Sequence, residues 1–175
     1  MFISSLSKNI PDFILRPTYR VYENKLISEI MEDRVPRHVG LIMDGNRRYA
    51  ASKGLPAYYG HDMGMKKVEE FLEWANEIGI KVVTLYAFST ENFNRDDDEV
   101  KHIMDMFEQR FKEIATNEKI IENRVRVKAI GNISMLPENV RLAIQEGESA
   151  TENFNNMALN VCIAYGGRME IIEAI

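Results

Sequence analysis

The sequence is poor in cysteine, in long apolar runs and in positive charge. Its single cysteine, Cys162, cannot form an internal disulfide and lies in an apolar segment, as expected in a reducing compartment. No run approaches the roughly 18 apolar residues of a membrane-spanning helix. The net charge of −5 argues against a general nucleic-acid-binding protein, which would carry a basic stripe. We therefore expect a cytoplasmic protein in which any anion site is local.

The chain also lacks a P-loop and a Gly-x-Gly-x-x-Gly run, which excludes the commonest nucleotide-binding motifs. Its 175 residues are 45% hydrophobic, enough for one domain with a real core. Beyond about residue 36 the apolar periodicity alternates between strand and helix. Strands are predicted near 39–43, 81–87, 125–130 and 157–164, with helices of ten or more residues between them. This pattern predicts an α/β fold: a mostly parallel sheet with helices on both faces.

Residues 1–35 form a predicted N-terminal extension before the domain at 36–175. Tyr22, Leu26 and Ile30 recur every four residues, which predicts a short amphipathic helix. Such a helix could lie on a membrane surface or pack on the domain. Its polar face mixes acidic and basic residues, whereas helices at membrane surfaces usually present a cationic face, so packing is favoured.

An apolar strand at 39–43 is followed directly by Asp44, Gly45 and two arginines, Arg47 and Arg48. We predict a buried parallel strand with Asp44 at its carboxyl end, where open α/β sheets bind ligands. Asp44 could hold Mg²⁺, the arginines could bind phosphate, and Gly45 would allow close backbone approach. A nucleotide or a prenyl diphosphate would suit this chemistry. A capped helix start with surface arginines is the alternative.

The strand at 81–87 is followed by a second polar segment that contains Ser89, Asn92 and Arg95. These side chains could bind phosphate, or they could belong to an ordinary polar loop. Two such segments at one sheet edge favour the ligand site. Residues 60–64 are predicted to precede the first helix of the sheet, where His61 could donate to a phosphate.

Three consecutive aspartates, Asp96–Asp98, invite comparison with the aspartate-rich metal motifs of some prenyl-transfer enzymes. We favour a helix start, because Asp96 and Glu99 have the spacing of a capping box and acids suit the first turn of a helix. The residues that follow, Val100 and Lys101, also lack the further aspartate that such a metal motif requires.

Four motifs together resemble the cis-prenyltransferase family, the undecaprenyl or dehydrodolichyl diphosphate synthases. They are residues 38–49 (HVGLIMDGNRRY), Gly60-His61, residues 86–95 (YAFSTENFNR) and residues 164–168 (AYGGR). Their order and spacing match the family from about residue 36 to the end. The Arg-Arg-Tyr form of the first motif is more archaeal or eukaryotic than bacterial.

The resemblance implies extension of an allylic prenyl diphosphate, farnesyl or geranylgeranyl, with isopentenyl diphosphate in cis, giving a precursor of a glycan lipid carrier. Asp44 would hold Mg²⁺ and, with Asn92, be catalytic. The implied substrate-binding residues are Gly45, Asn46, Arg47, Arg48, Tyr49, His61, Ser89, Thr90, Glu91, Phe93 and Arg95. The family often assigns proton abstraction to the Asn92 position. A neutral amide is a very weak base, so Asn92 could instead position substrate while diphosphate or water takes the proton.

The growing hydrocarbon would need an apolar tunnel between sheet and helices. Candidate wall residues are Ala87, Val100, Ile103, Met104 and Phe107, although the same spacing serves ordinary core packing. The family resemblance also implies a homodimer, and a lipid product implies transient contact with a membrane surface.

The sequence departs from the family pattern in two places. Ala57 stands where the family often has an arginine, and the family's C-terminal segment, which supplies isopentenyl diphosphate ligands and a second metal-binding glutamate, is expected to be missing after Ile175. We therefore expect a domain truncated at its C-terminus that binds one diphosphate but turns over poorly alone. Two other hypotheses are a non-catalytic subunit of a heteromeric synthase and an unrelated anion-binding α/β module.

Overall fold

The computed structural model describes residues 12–175 and divides the chain into two compact units, with the boundary between Val35 and Pro36. The first unit contains helix α1 (Asp12–Met31), so the predicted helix is present but, at 20 residues, longer than expected. The rest of the predicted extension, residues 1–11, lies outside the described residues. In the part of the chain that is described, no helix is both long and apolar enough to cross a membrane.

The second unit is built on a four-stranded sheet, whose strands are β1 (His38–Ile42), β2 (Val82–Ser89), β3 (Val125–Ile130) and β4 (Met157–Tyr165). The strand order is β1-β2-β4-β3, and every neighbouring pair is parallel. Because parallel strands need crossover connections, a helix-containing segment separates each strand from the next. The predicted α/β class and parallel sheet are confirmed.

Six helices accompany this sheet. They are α2 (Asn46–Ser52), α3 (Ala57–Glu77), α4 (Asp97–Ile114), α5 (Glu118–Glu122), α6 (Glu138–Thr151) and α7 (Gly167–Glu173). Short 3-10 helices occupy Thr90–Asn94 and Ile133–Met135. Helix α4 packs against α3 and α6, and α6 packs against β3, so these three helices form one layer over the sheet.

The core lies between this helical layer and one face of the sheet. Val83, Leu159 and Val127 are in register across β2, β4 and β3, and all three are buried. Helix α4 contributes an apolar stripe at helical spacing, formed by Ile103, Met104, Phe107, Phe111 and Ile114. On the opposite face Val82, Arg126 and Lys128 are half-buried or exposed, and Thr84 accepts a hydrogen bond from Asn160 at 3.2 Å. Within this unit the layer formed by α3, α4 and α6 therefore covers the face of the sheet that carries Val83, Val127 and Leu159.

The first strand differs from its prediction. A fully buried strand was expected at 39–43, but β1 is an edge strand whose residues alternate between exposed and half-buried, and Ile42 is 73% exposed. The reason is its position in the strand order, since β1 pairs only with β2. A run of apolar residues predicts a strand but does not fix its place in a sheet.

The start of α3 also differs from its prediction. Gly60 and Gly64 were expected to precede this helix, but it begins at Ala57 after Pro56, so both glycines and His61 lie inside it and are buried. Proline is common at helix starts because its fixed φ suits the first turn. Pro56 was the sequence feature that marked this start. The backbone N–H groups of 61–64 therefore belong to the helix and are not free to bind an anion.

Candidate active site

The carboxyl ends of β1, β2 and β4 meet at one edge of the sheet, where they border a cavity of about 1170 Å³. Of the predicted site residues, those that line this cavity are Asp44, Gly45, Asn46, Arg47, Arg48, His61, Ser89, Thr90, Glu91, Asn92 and Arg95. Tyr49 and Phe93 are not among the lining residues. Tyr49 is 44% exposed, and Phe93 packs edge-on against Phe88 with ring centroids 4.9 Å apart. The structure thus brings eleven of the thirteen predicted residues together.

Asp44 follows β1 in a tight turn. Gly45 has φ of 90°, a left-handed conformation that glycine adopts easily. In this turn the Gly45 N–H donates to Asp44 Oδ1 at 2.6 Å, and Arg48 Nη2 donates to Asp44 Oδ2 at 2.9 Å. The backbone hydrogen bond from Gly45, and next the Arg48 guanidinium, lower the pKa of Asp44 below its ordinary value. Asp44 is therefore an ionised carboxylate at neutral pH, and its side chain is 75% exposed.

Asn46 is fixed by close contact between α2 and α3. A Cβ atom at Gly60 would lie 2.1 Å from the Asn46 backbone oxygen, and one at Gly64 would lie 2.6 Å from Asn46 Oδ1. The two helices can approach this closely because both positions are glycine, one turn apart on α3. The same approach places His61, which lies between these glycines, at the cavity. The Gly-His pair of the sequence thus has a packing role as well as a polar one.

The segment after β2 is held by reciprocal hydrogen bonds. The backbone N–H of Ser89 donates to Asn92 Oδ1 at 3.0 Å, and the Ser89 side chain accepts from the Asn92 backbone, which forms a capping box for the 3-10 helix Thr90–Asn94. The Asn92 oxygen therefore already accepts one hydrogen bond.

A buried carboxylate connects three of the basic residues. Glu99 is 9% exposed, and its Oε1 accepts from His61 Nε2 and from Arg95 Nη1, each at 3.0 Å. Arg47 Nε lies 3.4 Å from its other oxygen, Oε2. Glu99 thus links α2, α3 and the turn between the 3-10 helix and α4.

This corrects the capping-box prediction for Asp96 and Glu99. Asp96 does cap α4, since its side chain accepts from the Asp98 backbone N–H at 3.1 Å. Glu99, however, faces the protein interior instead of returning to the helix start. The sequence contained a sign of this, because Glu99 lies four residues before Ile103 and eight before Phe107, on the buried stripe of α4. An acid on such a stripe needs basic partners.

The end of β4 supplies a further wall that the sequence reasoning did not assign to the site. The wall consists of Tyr165, Gly166, Gly167, Arg168, Met169 and Ile172. It is reached through Ala164, a buried residue with φ of 49°, which turns the chain out of the strand. Tyr86 Oη donates to the Tyr165 backbone oxygen at 3.2 Å and joins β2 to this turn. Four of these residues, 165–168, belong to the fourth sequence motif, which was the available sign.

Helices α3 and α4 supply one apolar wall of the cavity. Its residues include Met65, Ile103, Met106 and Phe107, and Ala57 stands where an arginine was expected. Of the predicted tunnel residues, Ala87, Ile103 and Phe107 line the cavity, whereas Val100 and Met104 are not among its lining residues. A tunnel remains a prediction. The cavity does combine a polar end with an apolar wall.

Asp44 fits one particular kind of magnesium site. Among the residues that the structure describes, no three histidine, cysteine, aspartate or glutamate side chains cluster as a metal site. Mg²⁺, however, commonly binds through one or two carboxylates and completes its coordination with phosphate oxygens and water. The exposed, ionised Asp44 beside basic side chains suits that mode. Mg²⁺ would bind there in competition with Arg48.

Residues 42–175 match the protein family described as "Putative undecaprenyl diphosphate synthase". The chain therefore belongs to the cis-prenyltransferase family, as the four motifs predicted. Membership rules out the hypothesis of an unrelated anion-binding module.

Among curated proteins, the chain is 47% identical over 173 residues to tritrans,polycis-undecaprenyl-diphosphate synthase (geranylgeranyl-diphosphate specific) of Pyrococcus abyssi. The match covers 99% of this chain and 66% of that relative, so the chain spans slightly less than two thirds of the relative's length.

Two solved structures have the same fold. Lavandulyl diphosphate synthase from Lavandula x intermedia, in complex with dimethylallyl diphosphate, is 35% identical with a TM-score of 0.73, covering 79% of this chain and 59% of that one. A probable undecaprenyl diphosphate synthase from Campylobacter jejuni is 33% identical with a TM-score of 0.65, covering 81% and 60%.

Proposed function

We propose that this chain forms the allylic-diphosphate site of a polyprenyl diphosphate synthase that adds isopentenyl diphosphate units in cis. The observation that carries the proposal is the cavity itself, in which Asp44 and basic side chains stand at one end and α3 and α4 supply an apolar wall. A prenyl diphosphate has the same division between a charged head and an apolar tail. The relative from Pyrococcus abyssi is named as specific for geranylgeranyl diphosphate, which favours that starter over farnesyl diphosphate.

In this proposal the basic residues bind the leaving diphosphate. Arg47, Arg48 and His61 would donate to its oxygens, and Asn46 would add an amide donor from its fixed position. Positive groups held in place stabilise charge as it builds on the departing oxygens, which lowers the barrier to breaking the carbon–oxygen bond. Mg²⁺ held by Asp44 would supply further positive charge on the same oxygens.

The segment from Ser89 to Arg95 would organise the second substrate. Ser89, Thr90 and Glu91 line the same cavity as Asp44, and Arg95 offers a planar pair of donors for phosphate. Asn92 would hold this segment in shape through its hydrogen bond to the Ser89 N–H. The proton lost on elongation would then pass to diphosphate or water.

Calorimetric titration with geranylgeranyl diphosphate and Mg²⁺ tests this function. Asp44→Ala should weaken binding, because it removes the metal ligand, and farnesyl diphosphate should bind less tightly than geranylgeranyl diphosphate. Asp62→Ala is the matched control, since Asp62 is an exposed carboxylate that pairs with His102 and is not a cavity-lining residue. AMP should not bind. Absence of lipid binding to folded protein, or equal binding by the Asp44→Ala variant, would refute the proposal.

Dependence on Mg²⁺, homodimer formation and transient membrane contact are further parts of the proposal that rest on the family resemblance, and a cytoplasmic location is a part that rests on composition. Sedimentation equilibrium tests the dimer, with a monomer at all concentrations as the contrary result. Co-sedimentation with lipid vesicles, before and after loading with a long-chain polyprenyl diphosphate, tests membrane contact. Binding should appear only with the lipid-loaded protein.

A further inference from the structure

Glu99 forms ion pairs with three basic residues, and the proposed function assigns it no role. Its side chain is 7% exposed, and its two oxygens meet Arg47, His61 and Arg95. These partners belong to three different segments, α2, α3 and the turn before α4. Removing a buried carboxylate from such a set would leave its partners without an anionic acceptor.

The three partners of Glu99 all line the cavity, whereas Glu99 itself does not. Arg95 is 24% exposed and His61 9%, so both are largely buried, while Arg47 is 60% exposed and its contact is the longest at 3.4 Å. Each basic side chain therefore touches Glu99 on one side and the cavity on the other. Long arginine side chains lose considerable rotamer entropy when they are fixed, and a shared carboxylate fixes two of them at once.

We propose that Glu99 is a positioning residue, which holds Arg47, His61 and Arg95 in the arrangement that receives a diphosphate. The inference rests on the proposed function, since it assumes that this cavity binds a diphosphate group. Glu99 acts through its three partners and makes no contact with the ligand. It also couples the two polar segments of the sheet edge, because it meets Arg47 from the first segment and Arg95 from the second.

A counter-ion role and a positioning role for Glu99 predict opposite changes in diphosphate affinity when its negative charge is removed. Glu99→Gln keeps the size of the side chain and removes one negative charge beside an anion site. If Glu99 were only a counter-ion, its removal would strengthen the attraction for diphosphate. If it positions the basic residues, their release weakens binding in spite of the added net positive charge. Whether the affinity for diphosphate rises or falls therefore distinguishes the two roles.

The experiment is calorimetric titration of the protein with geranylgeranyl diphosphate and with inorganic pyrophosphate, each with Mg²⁺. We expect Glu99→Gln to weaken binding of both ligands by about tenfold or more. Glu148→Gln is the matched control, because Glu148 is a half-buried carboxylate that accepts from the Ala129 N–H at 2.8 Å and is not a cavity-lining residue. It should bind both ligands as the unsubstituted protein does.

Equal or tighter binding by folded Glu99→Gln would overturn this inference and leave the proposed function intact. Failure of the unsubstituted protein to bind either ligand would instead refute the proposed function, and this inference with it. If Glu99→Gln does not fold, Glu99→Asp decides, since aspartate keeps the charge but is too short to reach all three partners. It should bind less tightly than the unsubstituted protein, and unchanged binding would contradict the positioning role.

Discussion

The contact between α2 and α3 makes a sharp prediction about two glycines one helical turn apart. Gly60→Ala and Gly64→Ala are the same substitution in the same helix, and both add a methyl group that points at Asn46. At Gly60 the new Cβ atom meets a backbone oxygen at 2.1 Å, which cannot move without moving α2. At Gly64 it meets the end of a side chain at 2.6 Å, which can rotate away.

The two substitutions should therefore differ in stability. Relief of the Gly60 contact requires the helices to separate by about 1 Å, and because the clash is with a backbone atom its cost falls at the upper end of the range for overpacking, about 2–3 kcal/mol. Replacing glycine by alanine inside a helix contributes about 1 kcal/mol in favour of folding at both positions. Gly60→Ala should then destabilise the protein by a net of about 1–2 kcal/mol, or a fall in Tm of about 2–8 °C. Gly64→Ala should be neutral within about 0.5 kcal/mol, because displacing the Asn46 side chain offsets most of the gain from alanine.

Measuring diphosphate binding by the two variants distinguishes an effect on the site from an effect on stability alone. Although Gly64→Ala should fold normally, it should bind pyrophosphate with Mg²⁺ more weakly, because it displaces the Asn46 amide from the cavity. Thermal unfolding and calorimetry on both variants give the two measurements. Equal stability of the two variants would refute the account of helix contact, and full binding by Gly64→Ala would refute the role of Asn46.

Two further predictions concern single hydrogen bonds. Arg48→Ala should raise the pKa of Asp44 only part of the way to its ordinary value, because the larger contribution from the Gly45 N–H remains. Carboxyl ¹³C NMR titration measures this pKa, and a return to the ordinary aspartate value would contradict the prediction. Since the pKa is lowered in the folded protein, this group favours folding above the unfolded aspartate pKa, and the effect is lost as pH falls through the folded value. Thr151→Val should lower the free energy of unfolding by about 1–3 kcal/mol, because it leaves the buried Val127 N–H without the acceptor that lies 3.1 Å away. Urea unfolding would compare this variant with Thr151→Ser, which keeps the hydroxyl group. Equal stability of the two variants would count against the prediction.

Much of the fold follows from local patterns. The strand at 125–130 has the predicted bounds, and β4 and α6 differ from theirs by a residue or so, because apolar periodicity and Pro137 mark these elements directly. The place of the site was also predictable. Parallel strands align their carboxyl ends, so polar residues after β1 and β2 had to meet at one edge.

The order of the strands and the ion pairs between distant residues could not be predicted from local sequence patterns. The edge position of β1 depends on which strands become neighbours, a property of the whole chain that the residues at 39–43 do not encode. Glu99 was misassigned because its spacing from Asp96 fits a local cap equally well. Its partners Arg47 and His61 lie 52 and 38 residues earlier in the sequence and reach it only after α2, α3 and α4 have packed together.

The most direct test of the central claim is a crystal structure of the protein with Mg²⁺ and a non-hydrolysable geranylgeranyl diphosphate analogue. The account predicts the diphosphate between Asp44 and the basic side chains Arg48 and His61, with the hydrocarbon along the apolar wall formed by α3 and α4. A diphosphate bound elsewhere, or a tail directed away from that wall into solvent, would contradict the account.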